Sequence, residues 1–116
     1  MRIGHIELFV TDPQASKRFY CELLGFELVT EQAQGRLVWL ALDGREVLLR
    51  PATAPRNGGV AYGDSGPALV LYTADLPATL ARLRDRGLEP CGQDSGCPLF
   101  RDPDGHWLQL VNPDAH

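Results

Sequence analysis

Short apolar runs and amphipathic stretches alternate along the chain, and the pattern occurs twice. IELFVTD (residues 6–12) reads as a strand ending in an aspartate, and LVLYTAD (69–75) repeats it. Each aspartate stands where a helix N-cap belongs, because its carboxylate can accept a backbone N–H that the first helical turn leaves unpaired. Pro13 follows at a first-turn position that needs no donor. In PQASKRFYCELL, Ala15, Phe19, Leu23 and Leu24 fall on one stripe. In LPATLARLRDR, Leu76, Leu80, Leu83 and Arg84 do so, leaving Arg82, Asp85 and Arg86 to solvent. Both read as amphipathic helices stopped by glycine, Gly25 and Gly87.

Three strand candidates follow each helix: residues 26–31, 36–42 and 46–50, then 88–93, 98–101 and 106–111. Gly35 and the pair Asp43-Gly44 mark turns in the first set, and Asp104-Gly105 repeats the Asp-Gly hairpin signal in the second. Each half is therefore strand, helix, three strands. The repeat, about 62 residues long, indicates a duplicated module. One domain is expected, with module 1 at about 1–51, a Pro- and Gly-rich linker at about 52–67 and module 2 at about 68–116.

Strand alternation assigns faces. Ile3, His5, Glu7 and Phe9 share one face of the first strand; Gly4, Ile6, Leu8 and Val10 share the other, which is the more apolar and suits a helix. In the last strand Trp107, Gln109 and Val111 lie together, opposite Leu108 and Leu110.

Bulk properties narrow the function. The 116 residues are 44% hydrophobic and 22% charged with a net charge of −4, and no basic cluster marks a nucleic-acid or anionic-membrane surface. No apolar run approaches the roughly 20 residues that span a bilayer. The opening residues alternate like a strand and lack signal-peptide features. Three cysteines without CxxC spacing fit a reduced, cytoplasmic protein.

HIELFVTDPQASKRFYCELLGFEL and the terminal DPDGHWLQL resemble the vicinal oxygen chelate superfamily, which includes glyoxalase I, bleomycin-resistance proteins, extradiol dioxygenases and fosfomycin-modifying enzymes. The resemblance implies an α+β fold of two βαβββ modules, whose strands form a curled, cup-like mixed sheet with helices outside and a ligand site inside. It also implies a homodimer. In metal-using members the ligands come from the first and last strands of the modules. Two of those positions match His5 and Gln109. A third falls in EVLLRP, where Val47, Leu48 and Leu49 cover the possible registers and Glu46 would require a slip that turns every neighbour to the wrong face. The fourth falls at Ala68 by the internal repeat or Leu69 by the family pattern. The set His5, Leu49, Leu69, Gln109 is thus degenerate. Zinc or nickel wants three or more His, Cys or carboxylate ligands, so no cofactor is expected.

A metal-free cup with Phe9, Trp39 and Trp107, joined by Tyr62 and Tyr72, and with polar His5, Glu7 and Gln109, suits a flat organic ligand, aromatic or antibiotic-like. The expected ligand-binding set is His5, Glu7, Phe9, Trp39, Trp107 and Gln109. Two enzymatic alternatives stay open. One is a lyase, isomerase or dioxygenase using a divalent metal (Zn, Ni, Fe or Mn). The other is a metal-free enzyme with His5 or Glu7 as base. Plainer roles stand beside these: an interior hydrogen-bonded His5, a Gln109 that satisfies a backbone group, and tryptophans that only fill the core.

Overall fold

Asp12 opens the first helix as its position suggests. In the computed structural model its carboxylate accepts from the backbone N–H groups of Gln14 (3.0 Å) and Ala15 (3.3 Å). Asp75 does the same for Ala78 at 3.1 Å. The structure describes residues 1–54 and 59–115; part of the expected linker, residues 55–58, lies outside the described residues, as does residue 116. The chain forms two compact units, Met1–Arg56 and Asn57–His116.

In the first unit β1 (Ile6–Val10) is followed by α1 (Pro13–Arg18), β2 (Glu27–Gln32), β3 (Leu37–Leu42) and β4 (Arg45–Pro51). The second repeats the order with β5 (Leu69–Tyr72), α2 (Leu76–Asp85), β6 (Gly92–Asp94), β7 (Cys97–Arg101) and β8 (Trp107–Val111). Each unit holds a four-stranded mixed sheet, ordered β1-β4-β3-β2 and β5-β8-β7-β6, in which the first strand runs parallel to the last. The fold class is α+β, built from two βαβββ modules.

Several details depart from the sequence expectations. The first helix narrows to Pro13–Arg18 and continues as a wider π turn over Phe19–Leu23. The buried stripe lies one residue on from the expected one. Ser16 and Tyr20 are buried, while Ala15, Phe19, Leu23 and Leu24 are only half-buried. Tyr20 meets Phe26 edge-on at 5.3 Å. In α2 Leu83 is the buried residue, and Arg84 turns out to bond Glu89 at 3.1 Å. The strand expected at 88–93 shortens to Gly92–Asp94, since Pro90 has no N–H for a ladder. Asp43-Gly44 forms the tight turn its sequence signals, both residues having positive φ (51° and 74°). Asp104-Gly105 does not repeat it. There the Asp102 carboxylate accepts from the backbone N–H of Asp104 (2.9 Å) and His106 (2.8 Å), making a wider loop. The tight hairpin of the second unit is instead Ser95-Gly96, between β6 and β7.

The register that the sequence left open is fixed by parallel pairing. Glu7 pairs with Leu48 and Leu8 with Leu49 in the first unit; Val70 pairs with Gln109 in the second. Counting back from the equivalent caps Asp12 and Asp75 makes Glu7 the counterpart of Val70, so Leu48 is the counterpart of Gln109. Leu49 lies opposite Val38, and both are fully buried on the side of the sheet where α1 packs against β3 and β4. By the same count Ala68 is the counterpart of His5, and Leu69 pairs with the buried Leu108.

Truncating Leu49 removes a side chain with no solvent exposure. Leu49→Ala should lower unfolding stability by about 2–5 kcal/mol. Leu28→Ala, at a position 48% exposed, should cost less than about 1 kcal/mol. Urea denaturation of the two variants measures both.

Candidate functional site

The candidate site residues divide between the units. His5, Glu7, Phe9 and Trp39 belong to the first, Trp107 and Gln109 to the second.

In the first unit, alternation along β1 leaves Glu7 and Phe9 exposed while Val10 is fully buried. Ile6, assigned to the apolar face, is still 45% exposed. His5 precedes β1, and its ring stands edge-on to Trp39 with centroids 4.6 Å apart. Trp39 lies opposite Leu48, and its Nε1–H donates to Gln32 Oε1 at 2.9 Å. Together with Val29, Thr30, Gln32 and Glu46, the two rings line an open pocket of about 500 Å³ that Arg2 also reaches.

Beside the pocket runs a polar chain. His5 Nε2 lies 3.7 Å from Glu7 Oε1, and Arg50 Nη1 donates to the same oxygen at 2.9 Å. The Arg50 guanidinium also sits 5.5 Å from the Phe9 ring centre. Arg50 was not foreseen as a partner, although β1–β4 pairing places it level with Phe9. Its hydrogen bond holds the Glu7 carboxyl below the usual carboxylate range, with its charge and His5 adding to the effect. A general base works best with a pKa near the working pH, so Arg50 makes Glu7 a weaker base.

In the second unit Trp107 and Gln109 are both buried, at 7% and 9% exposure. Gln109 Oε1 accepts from the Tyr62 hydroxyl at 3.2 Å, and its Nε2 donates to the Asp94 carbonyl at 3.4 Å. Trp107 Nε1–H donates to the Val60 carbonyl at 2.8 Å, Tyr62 stands edge-on to the indole, and the Arg101 guanidinium lies 4.2 Å from the Trp107 ring centre. The sequence gives no warning of this cover, because residues 59–65 read only as loop. Arg101 is part of it. Tyr72, by contrast, is 73% exposed.

The donors do not fit a divalent metal of the kind the family uses. Leu48 and Ala68, the structural counterparts of Gln109 and His5, carry no donor atom, and both ends of the Gln109 amide are engaged within its own unit. Among the described residues no three His, Cys, Asp or Glu side chains come together. Nor is any helix among them long and apolar enough to cross a membrane.

Comparison with known proteins agrees with this architecture. Residues 2–110 match the family model described as the Glyoxalase/Bleomycin resistance protein/Dioxygenase superfamily. YaeR of Escherichia coli (strain K12) is 30% identical, with 94% of each chain covered. YurT of Bacillus subtilis (strain 168) is 28% identical, covering 96% of this chain and 98% of its own. Among solved structures, TnmS3, an antibiotic binding protein from Streptomyces sp. CB03234, superposes with a TM-score of 0.68 at 29% identity over 97% of this chain and 98% of its own.

The Glu7–Arg50 contact makes a directional prediction. A carboxylate whose pKa is lowered on folding adds stability above its unfolded pKa, and that stability is lost as pH falls through the folded value. Carbon-detected NMR titration should find Glu7 titrating below an ordinary glutamate. In Arg50→Ala it should move up toward the ordinary value, and the acid limb of the stability curve should flatten. An unchanged Glu7 titration in that variant would show that Arg50 is not the cause.

Proposed function

The chain belongs to the Glyoxalase/Bleomycin resistance protein/Dioxygenase superfamily, and from that premise we propose that it binds a small organic molecule with an aromatic part, of an antibiotic-like kind, without a bound metal. The observation that carries this reading is the pocket bordered by the His5 and Trp39 rings. Its volume of about 500 Å³ is within the range of small-molecule sites, roughly 300–1,000 Å³. The lining combines an aromatic wall with a few polar groups: Thr30, Gln32, Glu46 and the His5 imidazole. An aromatic wall of this kind supplies affinity by area and ring contacts, and the polar groups orient the ligand. The antibiotic binding function of TnmS3 points the same way. The lowered pKa of Glu7 and the lack of donors at Leu48 and Ala68 favour binding over either enzymatic alternative.

The test is native mass spectrometry and calorimetry of the purified chain against a panel of aromatic antibiotics, with zinc and nickel titrated in parallel. At least one compound should bind one-to-one and be recovered unchanged. Trp39→Ala should weaken it by a few kcal/mol, roughly 30-fold or more, as loss of an aromatic anchor does. Neither metal should raise the melting temperature, which a ligand specific to the folded state must do. Stoichiometric metal binding, or chemical conversion of the bound compound, would overturn the reading.

We also propose a cytoplasmic homodimer. No disulfide joins Cys21, Cys91 or Cys97 among the described residues, which suits a reducing compartment. The edge strands β1 and β5 display Ile6, Phe9, Val70 and Tyr72 at 43–73% exposure, and apolar edge strands of this kind call for cover. Sedimentation at micromolar concentration should give a dimer. Tyr72→Glu should shift it to monomer while the fold, read by circular dichroism, stays intact. A wild-type chain that sediments only as monomer would sink this assembly.

A further inference from the structure

The cover over Trp107 and Gln109 is built like a ligand. Tyr62 presents an aromatic ring edge-on to the indole, with centroids 5.6 Å apart and planes at 85°. Its hydroxyl donates to Gln109 Oε1 at 3.2 Å. Those are the two contacts that recognise a phenol: a ring edge against an aromatic face, and an acceptor for the hydroxyl proton. Gln109 is fixed in the accepting orientation because its Nε2 is committed to the Asp94 carbonyl.

Among the described residues, few contacts beyond those two hold Tyr62 in place. The residue sits in a single 3-10 turn, Tyr62–Asp64. Outside that turn its segment is tied down by the Val60 carbonyl, which accepts from Trp107 Nε1 (2.8 Å) and Arg101 Nη2 (3.3 Å). Ser65 Oγ bonds the Tyr62 and Pro67 carbonyls, which shapes the turn locally without anchoring it to the sheet. Val60 itself is 52% exposed and Tyr62 only half-buried. The Trp107–Gln109 surface beneath, by contrast, is formed on β8, the strand that pairs with both β5 and β7. A rigid recognition surface thus lies under a lightly held tyrosine.

We propose that Tyr62 is a built-in occupant of a phenol-binding slot on the second unit, and that a free phenolic group displaces it to contact Trp107 and Gln109. This goes beyond the pocket of the first unit and rests on the small-molecule binding reading only in taking the chain to bind organic ligands. It names a phenol as one part of the ligand class and makes Tyr62 the residue that sets the threshold for entry. Displacement is an exchange of one phenol for another, so the slot opens only to a ligand that restores the bond to Gln109.

The probes are p-cresol and toluene, which differ by the hydroxyl alone. The readout is the indole N–H resonances of Trp107 and Trp39 in nitrogen-15 correlation spectra, told apart with Trp39→Phe. In Tyr62→Ala, p-cresol should shift the Trp107 resonance with at least ten-fold tighter apparent affinity than in the wild type, and more tightly than toluene. Adding Gln109→Leu should abolish the preference over toluene. Tyr62→Phe, which keeps the ring and its packing, should fall between wild type and Tyr62→Ala; it tests the idea even where the alanine variant is unstable. A Trp107 resonance that ignores p-cresol in both Tyr62 variants, or equal affinity for the two probes, overturns the proposal. If Trp39 responds to the antibiotic panel while Trp107 stays silent to p-cresol, only the slot is lost. If both stay silent, the binding reading falls with it.

Discussion

A β-sheet has two faces, and each module has one helix with which to cover them. Side chains alternate along every strand, so whichever set points toward the helix, an equal set points away. In the first unit α1 packs on β3 and β4, and Val38, Leu40, Val47 and Leu49 fill that side, each no more than 4% exposed. The other side carries Glu7, Phe9, Trp39, Glu46, Leu48 and Arg50. What becomes of that second face decides what each module can do.

The two modules answer differently with one topology. In the first the second face stays partly wet: Leu48 is buried, but Glu7, Phe9 and Glu46 are exposed. Glu7 and Arg50 keep about a third or more of their side chains in water, so their contact is worth little in stability and acts mainly by holding charge in place beside the His5–Trp39 pocket. In the second the β8 part of that face is buried, while Val70 and Tyr72 on the edge strand β5 stay exposed. A tryptophan and an amide occupy β8, and burying the amide without partners would cost about 1–3 kcal/mol. The chain meets that constraint with its own connecting segment, which brings a tyrosine hydroxyl to Gln109 and a carbonyl to Trp107. The linker is therefore part of the second module's structure as well as the route between halves.

The elements that could be read in the sequence are those governed by local chemistry. Asp12 and Asp75 as caps, Gly25 and Gly87 as stops, and Asp43-Gly44 as a hairpin each follow from one or two residues, and each stands. Asp104-Gly105 has the same letters but a different turn, because Asp102, two residues earlier, offers a carboxylate that competes for the backbone. The buried stripe of the first helix lies one residue on from the expected one, at Ser16 and Tyr20, because a small polar side chain such as Ser16 gives no apolar signal in the sequence. The His5–Trp39 contact and the Tyr62 cover were illegible for a further reason. Both depend on residues far apart in the chain, and loop letters such as those at 59–65 encode no direction.

Gln109 shows how a single side chain can be specified by its surroundings. Its position on β8 is the one where metal-using relatives of this fold are expected to carry a carboxylate. Here its two neighbours make opposite demands: the Tyr62 hydroxyl needs an acceptor, and the Asp94 carbonyl needs a donor. An amide offers both from one planar group, whereas an ionised carboxylate offers only acceptors. A glutamate at 109 would set its charge against the Asp94 carbonyl in a site 9% exposed, and burial would push its pKa up. Leucine, which serves at the counterpart position Leu48, would leave the Tyr62 hydroxyl without its partner. Glutamine at 109 is thus the residue that lets an aromatic cover close over β8, satisfying an acceptor and a donor with one side chain.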